Sequence, residues 1–259
     1  SNWFQSHLSS FRDYETARLS DAGSFADQYN NLLRQVQSLG QSLGIDTASF
    51  GGAITPDQVS KVDPNSPIGY LLSHYYNSGV PSDILQKYVA SHGTINLGKA
   101  GVAGGSVAAT ANTLKDYARS MGVNPQLITP TWSGADLQPG QNYFNGAAQA
   151  ILGGSTTLDA EKNYYKQIAA ATYKPFAQQI NDGISVQSLA YPYVNTLSNL
   201  MDGLDPASID LGASNGYGQL VSKALQGDGT NPMTVDSFMT QVKQRPEWLN
   251  TKNARDSLM

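Results

Sequence analysis

Four times in this chain an amphipathic run is followed by a glycine, one large apolar residue and then Asp, Pro or Asn: Gly44-Ile45-Asp46, Gly79-Val80-Pro81, Gly122-Val123-Asn124 and Gly203-Leu204-Asp205. A glycine there takes the left-handed conformation that ends a helix, and the apolar residue folds back on the last turn. The third residue opens the next element. A chain punctuated in this way is a succession of short helices joined by tight corners, and the expected fold class is all-α with little or no sheet.

The start signals agree. Thr55-Pro56-Asp57-Gln58 has the form of a capping box with proline at the first helical position. Asn124-Pro125 and Asp205-Pro206 repeat the pairing of cap and proline, and Ser185 and Thr234 read as simple N-caps. Apolar residues recur at three- and four-residue intervals along Phe25, Tyr29, Leu32, Leu33, Val36 and Leu39, and along Ile68, Leu71, Leu72 and Tyr75. Two further stripes run from Leu158 to Ile180, after a Thr156 cap, and from Val186 to Met201. Pro175 and Pro192 fall inside them, and each predicts a kink or break, because proline lacks the amide donor and crowds the carbonyl four residues back. No apolar/polar alternation is sustained. The segment 127–141, with Pro130, Trp132, Gly134, Pro139 and Gly140, reads as an irregular loop. The division that follows is an N-terminal helical region 1–125, a Pro/Gly/Trp loop 126–140 and a C-terminal helical region 141–259. The glycine doublets before helices, Gly104-Gly105 and Gly153-Gly154, are unequally spaced and read as shared capping chemistry, without a solenoid repeat. The chain starts without Met, and a helix opening at Thr251 meets no stop signal, so these residues read as a segment of a longer polypeptide or a processed form.

Composition removes several function classes. With no Cys, disulfides, thiol catalysis and Cys-ligated zinc are excluded. A net charge of −4 and dispersed basic residues leave no nucleic-acid groove evident; Lys243, Arg245, Lys252 and Arg255 are interspersed with Glu247 and Asp256 and read as a solvated face. His7, His74 and His92 each stand alone, with no second His at metal-ligand spacing. His74, beside the Ile68–Tyr75 stripe, reads as a helix-surface residue.

Four motifs invite chemistry that the residues do not complete. Gly93 to Lys99 has the spacing of a phosphate-binding loop, but Ala100 stands where the magnesium-holding hydroxyl belongs. Asp228-Gly229-Thr230-Asn231 lacks the twelfth-position Glu of a calcium loop, where Met239 falls. Gly212-Ala213-Ser214-Asn215-Gly216 spells a nucleophile elbow, but every His precedes Ser214 and no strand leads in, so it reads as a turn. Glu15, a candidate general acid, has Arg18 three residues on as a helical partner; Glu161 is the other carboxylate of that kind to test. No cofactor and no catalytic residue is expected.

Tyrosine is abundant, with 14 residues, and forms the close pairs Tyr75-Tyr76, Tyr164-Tyr165 and Tyr191/Tyr193. Adjacent helical residues lie ~100° apart and alternate ones ~200° apart, so both members of a pair cannot face one core. One of each should reach a boundary or an interface, which suits an amphipathic side chain. Charged residues make up only 14% of the chain, against ~25% in ordinary domains, and charge is depleted at interface cores. The candidate interface set is Tyr75, Tyr76, Tyr164, Tyr165, Tyr191, Tyr193, Trp132 and Trp248.

The C-terminal half resembles virion proteins of tailed bacteriophages of actinobacterial hosts. The likeness is carried by YARSMGVNPQ (Tyr117 to Gln126), the run from Ala147 to Gly183, SVQSLAYPYVNTLSNLMD (Ser185 to Asp202) and the run from Pro232 to Ser257, with Arg245-Pro246-Glu247-Trp248 and Thr251-Lys252-Asn253-Ala254-Arg255. The likeness covers just over half the chain and rests on structural motifs, so it transfers no active-site residue. Such proteins are tape-measure, minor tail or internal virion proteins, and the likeness is to the C-terminal region of the tape-measure and internal ones. The resemblance implies a non-enzymatic structural component of the virion, in the tail or ejected from the interior. The partners so implied are other virion proteins, with homo-oligomer formation and transient membrane or cell-wall contact during infection. The alternative is a peptidoglycan-directed hydrolase, or an accessory segment of a larger virion protein carrying one. A secreted helical binding module of an actinobacterium is a third reading. Little strand, low charge and local contacts that re-form fast suit a protein threaded through a channel.

Overall fold

The computed structural model describes residues 2–99, 101–130 and 143–258. The fold is all-α apart from one two-stranded pairing: β1 (Ile45–Asp46) runs antiparallel to β2 (Thr94–Ile95), with Ile45 opposite Ile95. The described residues fall into two compact units.

The first unit comprises residues 2–99, 101–112 and 144–157. It holds α1 (Asn2–Ser20), α2 (Ala22–Leu43), α3 (Pro67–Tyr75), α4 (Ser82–His92), the start of α5 (Gly105–Ser120) and most of α6 (Tyr143–Gly153). The stripe read from Phe25 to Val36 is the buried face of α2. It packs with Ile68, Leu71 and Leu72 of α3, Leu85 and Val89 of α4, Val107 and Ala111 of α5 and Ala148 of α6. Burial of each large apolar side chain contributes ~1.5–3 kcal/mol. This grouping differs from a division at residues 125 and 141, because α6 returns to the N-terminal helices. Gln149 Nε2 donates to the carbonyls of Ala90 and Gly93, at 2.8 and 2.9 Å, and Phe144 and Leu152 pack on the same core.

The second unit comprises residues 113–130, 143 and 158–258. It holds α7 (Leu158–Thr172), α8 (Ala177–Asn181), α9 (Val186–Leu200), α10 (Gly216–Gln226), α11 (Val235–Lys243), α12 (Pro246–Leu249) and α13 (Lys252–Leu258). Its core takes Leu114 and Ala118 from α5, Met121 from the turn that follows it, Tyr165 and Ala169 from α7, Val186, Ala190 and Leu197 from α9, Val221 and Leu225 from α10, and Phe238 and Val242 from α11.

The glycine corners take the conformation read from the sequence. Gly122 has φ 59°, its N–H donates to Arg119 O at 3.0 Å, and Val123 N–H reaches back to Ala118 O at 3.0 Å. These are the paired bonds of a left-handed helix stop. Gly44 (φ 80°) also lies so close to the backbone that a Cβ there would stand 2.1 Å from Gly104 O. Ser185 and Thr234 accept from Ser188 N and Ser237 N, and Thr251 caps α13 by accepting from Ala254 N at 3.1 Å.

Two expectations change. The three pairings of cap and proline open single 3₁₀ segments, Pro56–Lys61, Pro125–Leu127 and Pro206–Ser208, where α-helices were expected. Asn124 and Asp205 cap the second residue on, and the chain turns away before a four-residue ladder is established. Pro175 does break its stripe, into α7, a 3₁₀ turn at Lys174–Phe176 and α8. Pro192, by contrast, lies within an unbroken α9. Pro192 lies on the exposed side of the helix with Ser188, where a missing amide donor is least costly, while Val186, Ala190, Tyr193 and Leu197 hold the opposite face buried.

Candidate functional site

α3 and α4 carry the same five-residue pattern, Tyr-x-x-Ser-His: Tyr70-Leu71-Leu72-Ser73-His74 and Tyr88-Val89-Ala90-Ser91-His92. In both helices the His ring lies on the Tyr ring one turn before it, with centroids 4.1 Å apart for Tyr70–His74 and 3.9 Å for Tyr88–His92. The two tyrosines stack on each other across the helix pair, centroids 5.5 Å apart and planes 5° from parallel. The result is a column of four rings in the order His74, Tyr70, Tyr88, His92. Leu71 and Val89, one residue after each Tyr, are fully buried and anchor the helices beneath it.

The polar atoms of the column are ordered by the same repeat. Nδ1 of His74 lies 2.9 Å from Tyr70 O, and Nδ1 of His92 lies 3.0 Å from Tyr88 O. A carbonyl only accepts, so Nδ1 carries the proton and Nε2 is the acceptor in the neutral ring. Ser73 and Ser91 Oγ sit 3.1 and 3.0 Å from the same Nδ1 atoms while donating to helix carbonyls. Burial, and secondarily the Tyr70 phenol, push the Tyr88 hydroxyl above its ordinary pKa, so it remains a donor through the physiological range. Phe50 packs edge-on against Tyr88. A cleft of about 550 Å³ opens along the column, lined by Asn65, Tyr70, Leu71, Tyr75, Ile84, Tyr88 and His92.

The second unit holds two buried polar centres. Tyr173 Oη donates to Gly122 O at 3.0 Å, stands 3.4 Å from Leu211 O and shares a hydrogen bond with Ser222 Oγ at 3.0 Å. Beside it the Gly212–Gly216 turn borders a cleft of about 310 Å³. Glu161 is fully buried and accepts from Tyr143 Oη at 2.5 Å, with Tyr165 packed on Tyr143. Burial, reinforced by the Glu161 contact, pushes the Tyr143 hydroxyl far above its usual pKa; burial does the same to Tyr165.

Two of the three tyrosine pairs divide between core and periphery, while Tyr75 and Tyr76 are both half-buried and face different neighbours. Tyr76 packs on Tyr14 and Phe25 and accepts from Gln28, while Tyr75 lines the cleft beside the ring column. Tyr165 is fully buried, and Tyr164 is half-buried with its hydroxyl 3.1 Å from that of Thr129. Tyr193 is buried and donates to Met233 O at 2.5 Å, whereas Tyr191 is 67% exposed. Trp248 is buried under Lys243, whose Nζ is 5.9 Å from the ring centroid. Trp132 and the side chain of His7 lie outside the described residues. Glu15 forms the expected ion pair with Arg18, at 2.8 Å. Asp228 accepts from Thr230 N and Asn231 N, which closes a turn, and Lys99 lies in a turn with no helix start behind it. Taken singly along the sequence, the histidines do not reveal the column; the Tyr-x-x-Ser-His repeat is the signal that points to it.

Among the described residues no group of three or more His, Asp and Glu side chains is placed to hold a metal ion. Comparison with protein families, with curated proteins and with solved structures finds no match to this chain.

Proposed function

We propose that this chain is a non-enzymatic structural component of a tailed-phage virion, acting in the tail or interior of the particle through protein–protein contacts. The observation that carries the contact role is an apolar stripe on the outer face of α1. Leu8 is 55% exposed, Phe11 46% and Leu19 80%, while Tyr14 on the same helix is fully buried. At ~100° per residue, the three exposed residues lie some 60–140° round the helix from Tyr14, all on the same side. One helix thus presents one apolar face to its own core and another to solvent. A second copy of the chain is the occupant argued for, because the three- and eight-residue steps of this stripe suit a matching helix and most oligomers are built from identical subunits. Tyr191 and Leu249 offer further apolar surface on the second unit for other virion proteins. The virion assignment itself rests on the resemblance of the C-terminal half.

Sedimentation and light scattering test the contact role. The expected result is a concentration-dependent oligomer that Leu8→Glu with Leu19→Glu dissociates while helicity is retained. A monomer at every concentration, or an oligomer indifferent to both substitutions, overturns it. Zymography on purified murein tests the non-enzymatic assignment. No clearing is expected; clearing that Glu15→Gln or Glu161→Gln abolishes would replace this reading with that of a hydrolase.

A further inference from the structure

We propose that the cleft along the His74–Tyr70–Tyr88–His92 column is a binding site for a neutral saccharide. The proposal stands apart from the virion reading, since it uses only the chemistry of α3, α4 and Asn65.

Among the described residues, the lining of the cleft contains no Asp, Glu, Lys or Arg, so nothing in it pairs with a charged ligand. The column determines which parts of its rings a ligand meets. Tyr70 has His74 on one side and Tyr88 on the other; Tyr88 has Tyr70 and His92. The tyrosine faces, which carry the negative side of the quadrupole and draw cations, are occupied within the stack. Ring edges and hydroxyls remain for the cleft, and the edges are the positive part of the ring. A quaternary ammonium is disfavoured by that geometry. A proline-rich segment, which docks between open aromatic faces, is disfavoured for the same reason.

The remaining groups alternate in kind. The Tyr70 and Tyr88 phenol hydroxyls both donate and accept, the Asn65 amide does the same, and His92 Nε2 accepts because Nδ1 is committed to Tyr88 O. Ile84 supplies an apolar surface among them. A pyranose presents the matching surface, with hydroxyls that donate and accept around patches of C–H. The cleft volume of about 550 Å³ falls in the range of small-ligand sites, ~300–1,000 Å³. The repeated Ser-His pairing fixes ring orientation before any ligand arrives, which lowers the ordering cost of binding.

The test titrates the full chain with cellotetraose, maltotetraose and chitotetraose, with choline and a proline-rich decapeptide as the competing chemistries. At least one tetrasaccharide is expected to bind with a Kd of about 1 mM or tighter and to shift the ring resonances of Tyr88 and His92. Three variants keep the packing and remove single groups: His92→Phe takes away the acceptor, Tyr88→Phe one hydroxyl and Asn65→Ala the amide. Each is expected to weaken binding by roughly threefold to tenfold, the loss of one hydrogen bond, with an unchanged circular dichroism spectrum. Three results overturn the proposal: no tetrasaccharide binding at about ten times that concentration, binding that all three variants leave intact, or perturbation of these rings by choline or the peptide alone.

Discussion

Phe25, Leu33, Val36, Ile68, Leu71 and Val89 fill the centre of the first unit, and three of its polar aromatic groups, Tyr70, Tyr88 and His92, stand at the rim. In the second unit Glu161, Tyr143, Tyr165 and Tyr173 are all buried within the packing. Tyr14 and Tyr173 sharpen the contrast. Both rings are buried, but the Tyr14 hydroxyl has no hydrogen-bond partner among the described residues, whereas that of Tyr173 joins Gly122, Leu211 and Ser222. A hydrocarbon centre tolerates many rearrangements of similar volume. A buried polar centre rejects any arrangement that leaves a group unpaired. The first unit is thus able to place polar groups where a ligand can reach them, and the second uses them to specify its own packing.

Alkaline pH gives the largest expected separation of the two. Burial raises the Tyr14 hydroxyl to about 12 and those of Tyr143 and Tyr165 higher still. An unfolded tyrosine ionises near ~10. A raised acid binds its proton more tightly in the folded state, so this stability is complete below pH ~10 and is lost as the pH rises through and beyond that value. The second unit, with more fully buried tyrosines, should lose amide protection first between pH ~10 and ~12. Simultaneous loss in both units would erase the distinction.

Glu161→Ala comes next. It removes the acceptor of Tyr143 and leaves a cavity, and about 3 kcal/mol of destabilisation is expected in urea titration. Hydrogen exchange should quicken along α7 while α2 stays protected. Tyr173→Phe keeps the ring and strips three partners of one hydroxyl, at a cost of about 2 kcal/mol. The same substitution at Tyr14 deletes an unpaired hydroxyl. It should be neutral or stabilise by up to ~1 kcal/mol. Equal losses for the two Tyr→Phe variants would show that the units do not differ in this way. The smallest loss belongs to Gly79→Ala, where φ is 70° and the space is open: about 1 kcal/mol of strain alone, read as a small drop in Tm.

Much of the helical order is legible in the sequence. The stops at Gly44 and Gly122, the caps at Ser185, Thr234 and Thr251, and the buried face of α2 all follow from local conformational preference and spacing. Two proline readings changed for reasons outside the local sequence: no break occurs at Pro192, and two of the cap-proline pairings open shorter turns than expected. Pro192 is carried within α9 by the packing of the opposite face, and the caps before Pro125 and Pro206 open only 3₁₀ turns because the chain must turn at once. The candidate site is half legible. Pairing singles out Tyr75 but not Tyr70, Tyr88 and His92, because periodicity places a residue on a face without saying which other face it meets.

The sequence by itself determined the helices, their corners and the angular spacing that keeps both members of a tyrosine pair from facing one core, since these depend on φ preference, capping and geometry within a few residues. Only the tertiary structure decided that α6 packs with the N-terminal helices, that Tyr173 gathers three distant partners and that two Tyr-x-x-Ser-His turns meet as one column of rings. Those choices are set by contacts between residues far apart along the chain, whose energies appear only when the surfaces are brought together.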